Sequence, residues 1–178
     1  MPTPPTISLA LALALTLFGL TLPLAHAAPH DWATLRHDGA VVQVPRDVFA
    51  VEAGEGDPKG RLLATPEGRA KLHVFTIANE RGESPARFLA RVFPRDRGRL
   101  TYQRVARNFF AVSQPAQGGR ILYRRCNFVR DVIHCVDLQY PRNEKRAWDG
   151  IVTRISLSLR PRYLRPARRN SANYRSYL

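Results

Sequence analysis

The chain has 178 residues, with 28 Lys and Arg against 14 Asp and Glu, for a net charge of +14. At 44% hydrophobic residues and only two cysteines, it has apolar material for one modest core and is not a disulfide-dense scaffold. Of the basic residues 25 are arginine; the guanidinium fork favours phosphate and carboxylate partners, although a GC-rich genome gives the same bias and charge alone leaves the fold open.

The first element is an apolar run. From Ile7 to Ala27 the stretch ISLALALALTLFGLTLPLAHA holds no Asp, Glu, Lys or Arg, and it ends in Ala25-His26-Ala27. A small-x-small ending after such a run is a secretory cleavage pattern, so residues 1–27 are expected to be a signal peptide. The leader MPTPPT lacks the usual basic stretch. A membrane span is the weaker reading, because Pro23 interrupts the run and no basic flank follows it. The mature protein is then periplasmic or secreted, with one domain over residues 28–160 and a basic tail over residues 161–178.

Val41, Val42 and Val44 predict a strand that Pro45 stops. Residues 52–60, EAGEGDPKG, read as a solvated loop; its Glu52, Glu55 and Asp57 fall short of a calcium loop's oxygen count. Arg61–Ala64 and Ala70–Ala78 predict a hairpin about Thr65-Pro66-Glu67-Gly68, with Pro and Gly in favoured turn positions. In the return strand Leu72, Val74 and Thr76 share one face, and His73, Phe75 and Ile77 the other. The period then changes. Ser84 can cap a helix and Pro85 suits its first position; Phe88, Leu89 and Val92 share one face of about three turns, ended by Pro94. Thr101–Val105 and Asn108–Ser113 predict a bent strand or tight hairpin, and QPAQGG, residues 114–119, a loop.

YRRCNFVRDVIHCVDLQYP, residues 123–141, holds both cysteines. A two-residue loop at Arg130-Asp131 would set Val129 opposite Val132 and Cys126 opposite Cys135, at a non-hydrogen-bonded pair where side chains come closest. The same register sets Arg124 opposite Asp137 and Phe128 opposite Ile133, with Tyr123 on Leu138 and Ile121 on Tyr140 across the other face. A slip of one residue would lose all these pairs together. Arg-Asp is not the favoured hairpin dipeptide, so a longer loop stays open. In an oxidising compartment a lone pair so placed bonds, and a Cys126–Cys135 disulfide is expected. Metal binding is disfavoured: only His134 is adjacent, and on a strand it points away from Cys135. His134 reads as a surface or interface histidine. A catalytic thiol would need a base and an electropositive pocket, and neither can be assigned.

Pro141 closes the hairpin, and RNEKRAWDGIVTRISLSL, residues 142–159, predicts a second helix capped by Asn143. Trp148, Ile151, Val152, Ile155 and Leu159 form its apolar stripe. Gly150 costs the helix up to about 1 kcal/mol and is expected to mark close packing. Together the elements give an α+β class: an antiparallel sheet of about five to seven strands packed with two main helices.

No G-x-S-x-G, P-loop or H-E-x-x-H occurs, so no catalytic residue, cofactor or metal is assigned. His30-Asp31 and His37-Asp38 tempt a metal or triad reading, but neighbours on an extended chain point apart. The basic run from Arg91 to Arg107 faces only Asp96, with Tyr102 and Phe109 beside it. Arginine among aromatics suits a polyanion. Arg95, Arg97, Arg99, Arg104 and Arg107 are therefore the candidate polyanion-binding set, for an acidic polymer or anionic lipid; nucleic acid is disfavoured for an exported chain.

The phrases VPRDVF (44–49), GRLLATPEGRAKLHVF (60–75), LTYQRVARNFFAVS (100–113), ILYRRC (121–126) and LQYPRNEKRAWDGIVTRISLSL (138–159) resemble the PsbP-like and Mog-type α/β/α sandwich superfamily, as found in small periplasmic proteins of Gram-negative bacteria. The likeness runs over residues 34–160. It implies a binding or assembly module and not an enzyme, and it carries no functional residue across; the expected role is docking of a protein partner in the cell envelope, through the sheet or the loop 114–119.

Overall fold

The computed structural model describes residues 29–56, 58–93 and 99–162. The expected signal peptide lies outside these residues, as do Arg95, Arg97 and the tail beyond Arg162. Among the described residues no helix is long and apolar enough to cross a membrane.

Strand β1 (Trp32–His37) turns into β2 (Ala40–Pro45) at Asp38-Gly39, with φ of 40° and 78°. Glycine tolerates that left-handed backbone and Asp does so better than most residues. The valine run predicts β2, but β1 has no such signal, because its half-buried residues carry only a weak alternation. Strand β3 (Val51–Glu55) lies where a loop was expected. Its strand character comes from pairing with β4 (Gly60–Ala64), where Arg61 donates two hydrogen bonds to the Glu52 carboxylate at 2.8 and 2.7 Å. Strand β5 (Lys71–Ala78) returns through the predicted turn.

Helix α1 (Pro85–Val92) starts where Ser84 and Pro85 placed it, and Ser84 Oγ accepts from the Arg87 amide at 3.4 Å. It is eight residues long, shorter than expected. Strands β6 (Tyr102–Val105) and β7 (Phe109–Ala116) form a tight hairpin, one of the two expected alternatives, and not a single bent strand. Strand β7 takes in Gln114, Pro115 and Ala116, so the predicted loop shrinks to a turn before β8 (Arg120–Val129). Strands β8 and β9 (Val132–Pro141) keep the predicted register, including Arg124 opposite Asp137, around a two-residue turn in which Arg130 has φ 55°. The longer loop left open by the turn dipeptide does not form.

A 3₁₀ turn at Arg142–Glu144 leads into helix α2 (Lys145–Ser158), whose N-cap is Glu144 and not Asn143. All five stripe residues of this segment are buried. Gly150 does not mark close packing: a Cβ there would meet nothing within 4 Å. The chain then adds β10 (Arg160–Pro161) beside β2, so Pro161 belongs to the ordered unit and not to a tail.

The class is α+β. The sheets have the orders β1-β2-β10 and β3-β4-β5-β9-β8-β7-β6. The central strands β5 and β9 are buried on both faces. Leu72, Val74, Val136 and Leu138 meet Val42, Ile151 and Ile155 on the side of β2 and α2. Phe75, Phe110, Ile133 and both cysteines meet Phe88, Leu89 and Phe93 on the side of α1.

Candidate functional site

The alternation of the strands assigns each polar group to a face. On the α2 face, one row across the sheet reads Val74, Val136, Arg125, Ala111, Arg104, and the next reads Leu72, Leu138, Tyr123, Ser113, Tyr102. Helix α2 and β2 cover the β5–β9 end of both rows. Beyond that cover, the β8-β7-β6 end and the flank of α2 enclose an open groove of about 650 Å³. Its α2 wall includes Val152, Thr153, Ser156 and Leu157, and its sheet wall includes Arg125, Ala111, Tyr102 and Arg104.

Two guanidiniums gather at one ring in this groove. The Arg125 Cζ lies 4.2 Å and the Arg104 Cζ 5.6 Å from the centroid of Phe109. Arg125 donates through Nε to Asn127 Oδ1 at 3.0 Å. Among the described residues neither arginine pairs with a carboxylate. The groove's own acid, Asp149, is held by Lys145 Nζ at 2.8 and 2.9 Å. Burial lowers the Arg125 pKa, and the like charge of Arg104 pushes the same way; Arg125 stays cationic at any ordinary pH. Deeper in, the Tyr123 hydroxyl and Ser156 Oγ are 2.6 Å apart, and burial raises the Tyr123 pKa. Tyr140, stacked on Trp148, is pushed by burial to about 12. These tyrosines are neutral hydroxyls and not anions waiting for a metal. What the groove can do is hold an anion against apolar surface.

The other face carries a different polar set. Arg124 forks onto the Asp137 carboxylate, with Nε to Oδ1 at 2.6 Å, and His73 faces Asp137 across the β5–β9 ladder. Burial works against the Arg124 charge, but hydrogen bonding and charge from Asp137 overcome it and raise its pKa. His73 goes the opposite way: burial lowers its pKa, against the pull of Asp137. Among the described residues its Nε2 has no side-chain hydrogen-bond partner, and it points at Gly56, where a Cβ would come within 2.3 Å. The ring is walled in by the β3–β4 connection, and the Arg–Asp pair beside it satisfies itself.

The described members of the polyanion set are not one patch. Arg104 sits in the groove, while Arg107 lines a separate surface hollow with Asn79, Glu83 and Arg130. Arg99 is exposed just before β6. Arg125 was missed. Its signal was available: the predicted hairpin register already places it beside Tyr123 and on the face opposite Arg124, next to Val136 and without an acidic partner. Other expectations are corrected as well. His134 is buried and lies 3.1 Å from Thr76 Oγ1. His37 and Asp38 come within 3.2 Å because the turn folds them together. Glu52 and Glu55 pair with Arg61 and Lys59. Cys126 and Cys135, by contrast, form the disulfide that the hairpin register predicts, with Cα atoms 4.1 Å apart, the close approach of a non-hydrogen-bonded pair.

No family model and no curated protein matches this sequence. Fold and layering are those of the PsbP-like α+β proteins. The solution structure of cyanobacterial PsbP (CyanoP) from Synechocystis sp. PCC 6803 is similar at a TM-score of 0.50 and 12% identity, covering 79% of this chain and 97% of that one. At that identity the likeness is one of fold.

Proposed function

We propose that this chain is a non-catalytic binding module that folds in an oxidising compartment, periplasmic or secreted, and docks a protein partner in the groove between α2 and β6–β8. One observation carries the reading: Arg104 and Arg125 converge on Phe109 beside apolar surface, with no carboxylate paired to either among the described residues. A guanidinium held over an aromatic ring and left without a carboxylate partner is a frequent anchor of protein interfaces. The disulfide supports the compartment, and the fold likeness supports a module of this architecture and nothing finer.

A second reading keeps the same arginines for an acidic polymer or anionic lipid, and the net charge of +14 favours it. Steep weakening with added salt is its mark.

A photo-crosslinking amino acid placed at Leu157, on the groove, or at Glu67, on the β4–β5 turn, tests the docking reading in cells. A discrete protein adduct is expected from Leu157 alone, lost in the Arg104→Glu/Arg125→Glu variant. Adducts equal from both positions, or untouched by charge reversal, would overturn it.

A further inference from the structure

Strand β6 is one of the two outer strands of the seven-stranded sheet. All four of its residues are exposed. The Ala106 amide donates to the Phe109 carbonyl at 2.8 Å, which fixes the parity of the ladder. Residues paired to β7 alternate, so Ala106, Arg104 and Tyr102 turn their backbone groups inward. Gln103 and Val105 therefore present N–H and C=O groups outward, where no strand pairs among the described residues.

Natural edges are commonly blunted by bulges, proline or awkward charge. The opposite edge, β3, follows that rule: its register shifts between Glu52 and Glu55, and Gly54 has φ 90°. From Tyr102 to Val105 the register with β7 runs without a break. Apolar contact is also available there. Tyr102, Val105 and Leu157 are 45%, 39% and 71% exposed and, with Val51, are the exposed large hydrophobics of the described residues. Tyr102 and Leu157 line the groove, and Val105 lies on the other face of the strand.

Charge selects the occupant. Side chains of a strand added beside β6 would alternate, and those beside Tyr102 and Arg104 would enter the groove where Arg104 and Arg125 stand. We propose that β6 accepts an extended acidic segment of a partner protein as an added strand, its backbone pairing with Gln103 and Val105 and its carboxylates meeting Arg104 and Arg125. Strand addition takes its affinity from main-chain bonds and its specificity from alternate side chains. A lipid headgroup or polyphosphate would use the arginines and leave the edge backbone idle. The inference rests on the docking reading above and names its partner's chemistry.

The probe is a fluorescein-labelled peptide of roughly ten alternating Asp and Thr residues, long enough for one strand, compared with Lys-Thr and Ser-Thr peptides and with phosphatidylglycerol vesicles. The acidic peptide should bind about tenfold or more tighter than the neutral one, and the basic one not at all. Gln103→Pro removes an outward N–H without touching the β6–β7 ladder, as proline is tolerated on edges, and should weaken acidic-peptide binding about tenfold or more. Arg104→Ala/Arg125→Ala should abolish the preference for acid over neutral. In the unmodified protein, hydrogen exchange at the Gln103 and Val105 amides should slow on saturation with the acidic peptide, a readout that needs no variant to fold. Bound peptide with unchanged exchange at both amides overturns the proposal, as does vesicle binding without peptide binding. If peptide binding ignores Gln103→Pro while cross-linking from Leu157 persists, strand addition falls and the docking reading stands.

Discussion

One face of the seven-stranded sheet lies under α2, 14 residues long, together with β1 and β2; the other lies under α1, which has eight. The covers differ in chemistry as well as length. Under α2 the centre is aliphatic and aromatic, from Leu72 and Leu138 to Ile155 and Trp148. Under α1 the apolar cluster is smaller, a disulfide crosses it, and an Arg–Asp pair with a histidine extends the same face past the helix. Where a long helix supplies apolar area, packing suffices. Where a short one leaves the sheet thinly covered, covalent and ionic links between neighbouring strands hold it. The groove belongs to the first face, at the end where α2's cover gives out.

If the α2 face is held by packing, Ile155→Ala should produce the largest loss. The side chain is fully buried among Val42, Val74 and Leu138, and a cavity there costs about 3–4 kcal/mol. Urea unfolding monitored by tryptophan fluorescence measures it, since Trp148 sits in the same cluster. On the α1 face Asp137→Ala comes next, about 3 kcal/mol, because Arg124 is left charged with its side chain only 22% exposed. The cost lies in orphaning a charge and not in losing an attraction, so Arg124→Met/Asp137→Leu should recover most of it. A double variant as unstable as the single one would mean that the α1 face is not held by this ionic pair in the way its burial implies. Cys126→Ala/Cys135→Ala should cost about 2–3 kcal/mol, the expectation for so short a closed loop, and should speed hydrogen exchange around Ile133 more than around Leu138. Equal acceleration on both faces would show that the staple does not act locally.

Legibility in the sequence follows the same division. The β8–β9 register could be read because Cys126–Cys135, Arg124–Asp137 and Phe128–Ile133 all demand one alignment, and any slip breaks every pair. The α2 stripe could be read because five buried positions repeat at helical spacing. Strand β3 could not: VEAGE has no buried residue, and only its pairing with β4, through Glu52 and Arg61, makes it a strand. Gly150 misled because helix packing is suggested by a glycine but decided by which side of the helix it falls on, and it falls on the solvent side. Half of the candidate site was legible. Arg104, Tyr102 and Phe109 stand in one visible run, whereas Arg125 joins them from another strand through a row that exists only once β6, β7 and β8 are laid side by side.

The smallest expected effect is on pH dependence, and it again separates the faces. Burial lowers the pKa of His73 on the α1 face and of His134 on the α2 face. Each is therefore neutral in the fold at a pH where the unfolded chain, titrating near about 6.5, already binds a proton. Stability is full above that pH and declines as pH falls below it toward the folded value. The environments differ. His73 has Asp137, which favours the proton, and Arg124 and His37, which oppose it; His134 has burial alone, with Thr76 Oγ1 at 3.1 Å. Thermal melts between pH 7.5 and 5 should show His73→Gln flattening the decline. In Asp137→Asn, which removes the charge that favours the proton on His73, the His73-dependent part should steepen while the part removed by His134→Gln stays as it was. A His134 contribution that moved with Asp137 would mean that the two faces communicate through β9 and are not closed independently.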